Sequence, residues 1–373
     1  MIRLLIIDDS ALMRKLLTDI FERAGGFETK AARNGAEALE LAKSFAPHVA
    51  TLDINMPVMD GLTCLGRLMV ETPLPVVVVS SQTREGAETT FEALALGAVD
   101  VIAKPEGTVS LSIDRIEPML VEKIRAAARA KLRPTLRLAD RIRHRLGSVP
   151  AGAGQAGAGL VERIPVAAPP AEMERGSGLI LIGASTGGPQ ALEAVLTGLP
   201  ADLPWPVLVA QHMPASFTGA FAQRLSRICA LPVIEVGHST PLRPGQVHVA
   251  RGDADMIIAR RPAGLIALPV PASASHRWHP SVDRMVASAL NLVPAELLIG
   301  VLLTGMGDDG AAAMVRIRQE GGHTIAQDEE TSVVWGMPGS LAQRDGADIV
   351  APLPDIARAV VRAVRRKAEV TCP

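Results

Sequence analysis

Short runs of Val, Ile and Leu recur along the chain, separated by stretches with apolar residues at helical spacing, and many of the runs end on a polar residue. A strand buried on both faces reads as such a run, and a parallel neighbour requires a crossover helix between them. In the first 106 residues RLLIID, FETKAA, HVATLD, PVVVVS and DVIAK alternate with SALMRKLLTDIFERAG, GAEALELAKSF, LTCLGRLMVE and EGAETTFEALALG. Five βα units in so short a segment predict an α/β, flavodoxin-like doubly wound domain, with a last helix over 111–131.

A second series starts at residue 179: LILIG, PVLVA, PVIEV, QVHVA, MIIAR, LIALPV, LLIGVLL and HTIAQ, with GPQALEAVLTGL and SFTGAFAQRLSRI as the clearest helices. Turn residues split QVHVARGDADMIIARRPAGLIALPV, which predicts an antiparallel hairpin attached to a mainly parallel, doubly wound α/β sheet. The organisation expected is therefore 1–122 and 179–373 as two domains, joined by 123–178. Nine Lys and Arg against the single acid Asp140 fill the stretch from Lys123 to Arg145. It reads as a solvated linker helix, with contact to an anionic partner as the alternative. Residues 147–178 are dominated by Gly, Ala and Pro, the composition of a flexible tether.

Composition narrows the function. A length of 373 residues exceeds one ordinary core and fits two. A formal charge of -1, no tyrosine and 2% aromatic residues argue against a nucleic-acid partner. Three cysteines, widely spaced and odd in number, build neither a disulfide framework nor a thiolate metal site. The opening MIRLLIIDDS is too short in its apolar run for a signal peptide, and no run reaches the roughly 18 residues of a membrane span. The expectation is a soluble, cytoplasmic protein with no direct membrane insertion.

In the first domain Asp8, Asp9 and Asp53 follow strand ends, and Ser80 and Lys104 end the next two strands. Three neighbouring carboxylates suit a hard cation such as Mg²⁺, which would offset the charge of a phosphoryl group arriving at Asp53. Ser80 and Lys104 are placed to hold its oxygens. The alternative is that strand-end aspartates only cap the helices that follow.

In the second domain GASTG, centred on Ser185, fits the G-x-S-x-G turn that exposes a nucleophile between strand and helix. A phosphate-cradling loop or a helix-capping serine are the competing readings. His212 directly follows the strand PVLVA, where a base would stand beside the serine. Asp308 and Asp309 lie in the glycine-rich turn after LLIGVLL, and either can accept the Nδ1 proton of His212.

Residues 1–106 resemble the receiver domain of two-component response regulators, through IIDDS, LDINMPVMDG, VVVVSS and the Lys-Pro of IAKPEG. The resemblance implies Asp53 as phosphoacceptor, a histidine kinase as phosphodonor, and Mg²⁺ held by Asp8, Asp9, Asp53 and the backbone carbonyl of Asn55. It also implies that Ser80 and Lys104 bind the phosphoryl group and that Lys104–Pro105 is a cis peptide. Val101 departs from the pattern, since many receivers carry an aromatic there that reorients on phosphorylation.

Residues 179–353 resemble the catalytic domain of the chemotaxis protein-glutamate methylesterases, the CheB family, through IGASTGGPQAL, AQHMPASFTGAFAQRL, HPSVD, VLLTGMGDDGAAAM and TIAQDEETSVVWGMP. That resemblance implies Ser185 as nucleophile, His212 as general base and Asp309 as orienting acid, with Thr186 and Met306 shaping the oxyanion pocket. No metal is implied in this domain. Its implied substrates are methyl-accepting chemoreceptors, whose glutamyl γ-methyl esters are hydrolysed and whose glutamines are deamidated. His279 stands where arginine is expected, in a segment that lines the cleft entrance. The rivals are a DNA-binding response regulator and a receptor-binding module without catalysis.

Overall fold

The computed structural model describes residues 1–81, 83–104, 109–132 and 177–371. Most of the expected tether, and Pro105 of the expected cis peptide, lie outside the described residues. The first unit runs β1 (Ile2–Ile7), α1 (Ala11–Ala24), β2 (Phe27–Ala32), α2 (Gly35–Phe45), β3 (Val49–Leu52), α3 (Gly61–Glu71), β4 (Val76–Ser80), α4 (Arg84–Ala95), β5 (Asp100–Ala103) and α5 (Val109–Ala127). Its sheet is parallel in the order β2-β1-β3-β4-β5, the flavodoxin-like arrangement expected, which reverses direction between β1 and β3. Asp8, Asp9 and Asp53 stand at that reversal.

Helix capping decides one alternative left open by the sequence. The caps of α1 and α3 are Ser10 and Asp60, whose side chains accept the N–H of Met13 and Thr63. Asp8, Asp9 and Asp53 are not the caps. Lys123, which the charge pattern placed at the start of the linker, belongs to the end of α5. It is buried there, with its ammonium 2.8 Å from Asp100 Oδ1.

The second unit runs β6 (Leu179–Ala184), α6 (Gly188–Thr197), β7 (Val207–Gln211), α7 (Ala215–Ile228), β8 (Val233–Val236), β9 (Thr240–Pro241), β10 (Val247–Ala250), β11 (Ala254–Arg261) and β12 (Gly264–Pro271). It continues with α8 (Val282–Leu290), β13 (Leu298–Leu302), α9 (Ala311–Gln319), β14 (His323–Gln327), α10 (Met337–Gln343), β15 (Ile349–Ala351) and α11 (Leu353–Thr371). Seven strands form one parallel sheet in the order β15-β14-β13-β6-β7-β10-β8. The expected hairpin is β11 and β12, paired antiparallel, with the short β9 added at its edge. No helix among the described residues is long and apolar enough to cross a membrane.

The sheet reverses direction between β13 and β6, so a crevice opens at their carboxyl ends. Its floor is solid core: every residue from Leu179 to Ile182 and from Leu298 to Leu302 is buried, Gly300 included. Fully burying each such side chain contributes about 1.5–3 kcal/mol. The apolar core also crosses between the two units, where Phe91 of α4 stacks on Phe221 of α7 with ring centres 5.4 Å apart.

Candidate active site and phosphorylation site

Ser185 and His212 are brought together by register. The last residues paired between β6 and β7 are Ala184 and Gln211, so Ser185 and His212 are the next residues on adjacent strands. The His212 N–H then donates to Ala184 O at 3.1 Å. Ser185 sits on a sharp turn whose next but one residue, Gly187, has φ 76° and immediately precedes α6. The left-handed backbone there favours glycine. The Ser185 N–H donates to Thr304 O at 3.0 Å, and Gln211 Nε2 donates to Ser185 O at 3.0 Å, fixing the turn from two sides.

The loop after β13 presses on this serine. A Cβ on Gly305 would lie 2.7 Å from Ser185 Cβ and 3.0 Å from Ser185 N, so no larger residue fits without moving the turn. Met306, next in the loop, is buried. Asp309, three residues on, is within 2.8 Å of His212 Nε2. Asp308 instead points outward to Arg344, at 2.8 Å.

The nitrogen that meets the acid differs from the sequence expectation, in which Nδ1 faced the carboxylate. Strand order explains it. β6 lies between β7 and β13, so the imidazole must reach across the end of β6, and only its distal nitrogen gets there. His212 Nδ1 and Ser185 Oγ are both buried and have no hydrogen-bond partner among the described residues.

Asp309 is held at the start of α8. Its Oδ2 also accepts the N–H of Val282 at 2.7 Å, and its Oδ1 accepts Ser281 Oγ at 3.1 Å and the N–H of Asp283 at 3.0 Å. Burial alone would push this carboxyl up. The hydrogen bond and charge of His212, with the two helix N–H groups, outweigh burial and hold it below its ordinary range. The PSVD stretch therefore positions the acid.

Sequence reasoning missed Asp255, a fully buried carboxylate of β11. It binds His279 Nδ1 at 2.8 Å, Arg284 at 2.7 Å and the N–H groups of Ser281 and Ser273 at 2.7 and 3.1 Å. Burial would raise it, but these partners together hold it below its ordinary range. His279, which stands where arginine is expected, is thus tied to the buried Asp255 of β11. Trp278, also missed, stacks on the His212 ring, with centres 5.8 Å apart and planes 16° apart.

In the first unit Lys104 Nζ lies 2.8 Å from Asp53 Oδ2 and 3.0 Å from Asp8 Oδ2. One carboxylate oxygen from each of Asp8, Asp9 and Asp53 lies within 4.8 Å of the others, so the three fit a single hard cation. Burial pushes the Asp53 carboxyl above its ordinary range; Lys104 opposes the rise and Asp8 reinforces it. The exposed Asn55 donates its N–H to Asp53 Oδ1 at 3.4 Å. Ser80 is buried beside the cluster, but its hydroxyl donates to Gly86 O of α4 at 3.2 Å.

The sequence matches the family described as CheB methylesterase over residues 180–360, and the response regulator receiver domain over residues 4–113. It is 58% identical over 361 residues to a "Protein-glutamate methylesterase/protein-glutamine glutaminase 2" of Rhodopseudomonas palustris, covering 97% of this chain and 98% of that one. This chain belongs to the CheB family. A second relative, number 3 of the same name from Rhodospirillum rubrum, is 54% identical over 358 residues, covering 96% and 95%. The crystal structure of the Thermotoga maritima CheB methylesterase catalytic domain is 33% identical and covers 51% of this chain and 98% of that one, with a TM-score of 0.48.

Seen as a CheB chain, the molecule joins its receiver to its catalytic domain at the serine turn. Thr186 Oγ1 donates to Asp100 Oδ2 at 2.6 Å, and the Gly187 N–H donates to Val99 O at 2.9 Å. The amide of Gln190 donates to Leu94 O and Ala98 O. Asp100 is the same carboxylate that holds the buried Lys123. Further out, Glu122 pairs with Arg277 at 2.7 Å and Lys131 with Glu329 at 2.8 Å. A cleft of about 1330 Å³ remains between α1 and α5 on one side and Arg277, Met306, Gly307 and Trp335 on the other.

Proposed function

We propose that Ser185, His212 and Asp309 carry out the esterase reaction of this family on glutamyl γ-methyl esters in the cytoplasmic helices of chemoreceptors. As a CheB protein with a receiver domain, the chain is a phosphorylation-activated protein-glutamate methylesterase and protein-glutamine glutaminase. The observation that carries the residue assignment is the 2.8 Å bond between His212 Nε2 and Asp309, beside a buried serine.

With its Nε2 proton donated to Asp309, His212 has an unprotonated Nδ1. That atom takes the Ser185 proton as Oγ attacks the ester carbonyl. The tetrahedral oxyanion is met by backbone N–H groups of the turn at Thr186 and the loop at Met306. Collapse breaks the ester bond, and His212 returns the proton to the departing methoxide, which leaves as methanol. Water then attacks the acyl-enzyme, again losing its proton to His212, and releases the glutamate and the free serine. A glutamine side chain follows the same course, with ammonia leaving.

For regulation, a histidine kinase supplies the phosphoryl group to Asp53. The three carboxylates of Asp8, Asp9 and Asp53, with the Asn55 carbonyl, would hold Mg²⁺, which when bound offsets the charge on the arriving group. Lys104 neutralises the phosphoryl oxygens, and Ser80 joins by turning its hydroxyl away from Gly86. Unphosphorylated, the receiver grips the serine turn through Asp100 and Val99. The added charge at Asp53 rearranges β4 and β5, loosening that grip.

Methanol release from methylated receptor membranes tests the chemistry. Ser185→Ala and His212→Ala are each expected to lower turnover by roughly 10⁴–10⁶-fold, since the members of such a triad act as a unit. Full activity in Ser185→Ala would exclude serine catalysis.

A further inference from the structure

We propose that Trp278 is a positioning residue for His212, fixing the plane of the imidazole through which the serine proton passes. The inference rests on the reading of His212 as general base. In its own plane the ring has one anchor, the bond from Nε2 to Asp309. The opposite nitrogen, Nδ1, has no partner among the described residues. A single hydrogen bond leaves the ring free to rock about it, and rocking would swing Nδ1 away from the serine. The indole of Trp278 supplies the missing constraint from above the plane, stacked at 5.8 Å between centres and only 16° from parallel.

Trp278 is itself immobilised. It is 8% exposed. Its indole nitrogen faces Gly307, where an added Cβ would sit 3.4 Å away, so the same ring lies beside both the base and the loop that carries Met306 and Asp309. The following residue, His279, is tied to the buried Asp255, and Ser281 caps α8 beneath Asp309. One segment therefore sets the ring plane through Trp278 and the acid through Ser281. Displacing a proton-transferring group by about 1 Å is enough to lose roughly 10²-fold in rate. The face of an indole also tolerates the positive charge that His212 acquires during attack.

The charged groups near this stack are Asp309 on the nitrogen edge, Asp283 behind Asp309, and Arg277, whose guanidinium lies 5.4 Å from the indole centre. None of them replaces a stacking surface, so the ring itself is the feature to alter. The full chain, activated with acetyl phosphate and Mg²⁺, is assayed for methanol release from methylated receptor membranes as Trp278→Leu and Trp278→Phe.

The expected result is a 10- to 100-fold fall in kcat for Trp278→Leu with KM within about 2-fold of the parent, and recovery of most of kcat in Trp278→Phe, which keeps an aromatic face. Melting midpoints of both variants are recorded beside the rates. Unchanged kcat in Trp278→Leu overturns the proposal. So does a loss confined to KM, which would make the indole a wall for substrate, and so does an equal loss of rate and melting midpoint in both variants, which would make it packing. His212→Ala is run alongside. If it remains active, the base assignment fails and takes this inference with it; if it is inactive while Trp278→Leu is normal, only this inference fails.

Discussion

Replacing Asp309 by asparagine probes the site where its geometry is most constrained. The carboxylate accepts four hydrogen bonds: Oδ2 from His212 and the Val282 N–H, Oδ1 from the Ser281 hydroxyl and the Asp283 N–H. An amide has an oxygen at one of these positions and two N–H donors at the other. If the amide nitrogen faces His212, it repels the Val282 N–H and forces the imidazole proton onto Nδ1, the atom that must accept from serine. If it faces Asp283, the hydroxyl of Ser281 can rotate but the Asp283 N–H is orphaned. An orphaned buried donor costs about 1–3 kcal/mol, so the fold should survive with a lowered melting midpoint. Turnover should fall by roughly 10³–10⁴-fold, equivalent to about 4–5.5 kcal/mol of transition-state stabilisation. Asp308→Asn removes only an outward pair with Arg344, the kind that contributes little, and should keep turnover within about 2-fold of the parent. Methanol release under activating conditions, with thermal unfolding in parallel, measures both variants. The assignment is refuted if Asp309→Asn keeps more than about a tenth of the activity, or if Asp308→Asn is the defective one.

Two further expectations concern regulation and pH. Asp100→Ala combined with Lys123→Met removes the receiver's hold on Thr186 without stranding a buried ammonium; unphosphorylated turnover should rise by roughly 5- to 150-fold, and an unchanged basal rate would mean that this contact carries no inhibition. His248, fully buried in β10, is held down to about 4 by burial, against weak help from the carbonyl of Pro241. Its neutral form is favoured by folding, so its contribution is complete above about pH 6.5 and is lost as pH falls toward 4, amounting to about 3 kcal/mol. Urea midpoints of the parent and of His248→Leu across pH 4–7 should diverge in slope; parallel slopes would discount the group.

The strands were legible because parallel strands buried on both faces must be continuous apolar runs, and because their polar terminators are so unlike what precedes them. Ser185, His212 and Asp309 stand out for that reason, as do Asp8, Asp9 and Asp53. What the sequence hid is what depends on order in space. Which nitrogen of His212 meets the acid follows from β6 lying between β7 and β13, a fact of strand order that no local pattern carries. Asp255 looks like a turn residue ahead of a strand, yet it anchors a segment more than twenty residues later. Asp100 opens the strand DVIAK and Lys123 reads as a linker base, and the two become a buried pair only when α5 packs on β5. The HPSVD segment reads only as a cleft-lining stretch, because Ser281, which caps α8, and Asp309 are distant in sequence. Trp278 has no periodicity to announce it.

The walls of the cleft also give the molecule an optical property. The chain has no tyrosine and three tryptophans, so its near-ultraviolet emission comes from indole. Trp205 lies in the core of the second unit, packed under Gly178. The other two lie nearer the site: Trp278 beside the imidazole, and Trp335 on the cleft wall with its N–H donated to Gln327 O at 3.0 Å. Trp335 thus stands where the receiver meets the catalytic domain, Trp278 stands beside the base, and Trp205 lies in the core. Were the receiver to release the serine turn as proposed, water would enter the cleft at Trp335, and a red shift of the protein's own fluorescence would report the opening.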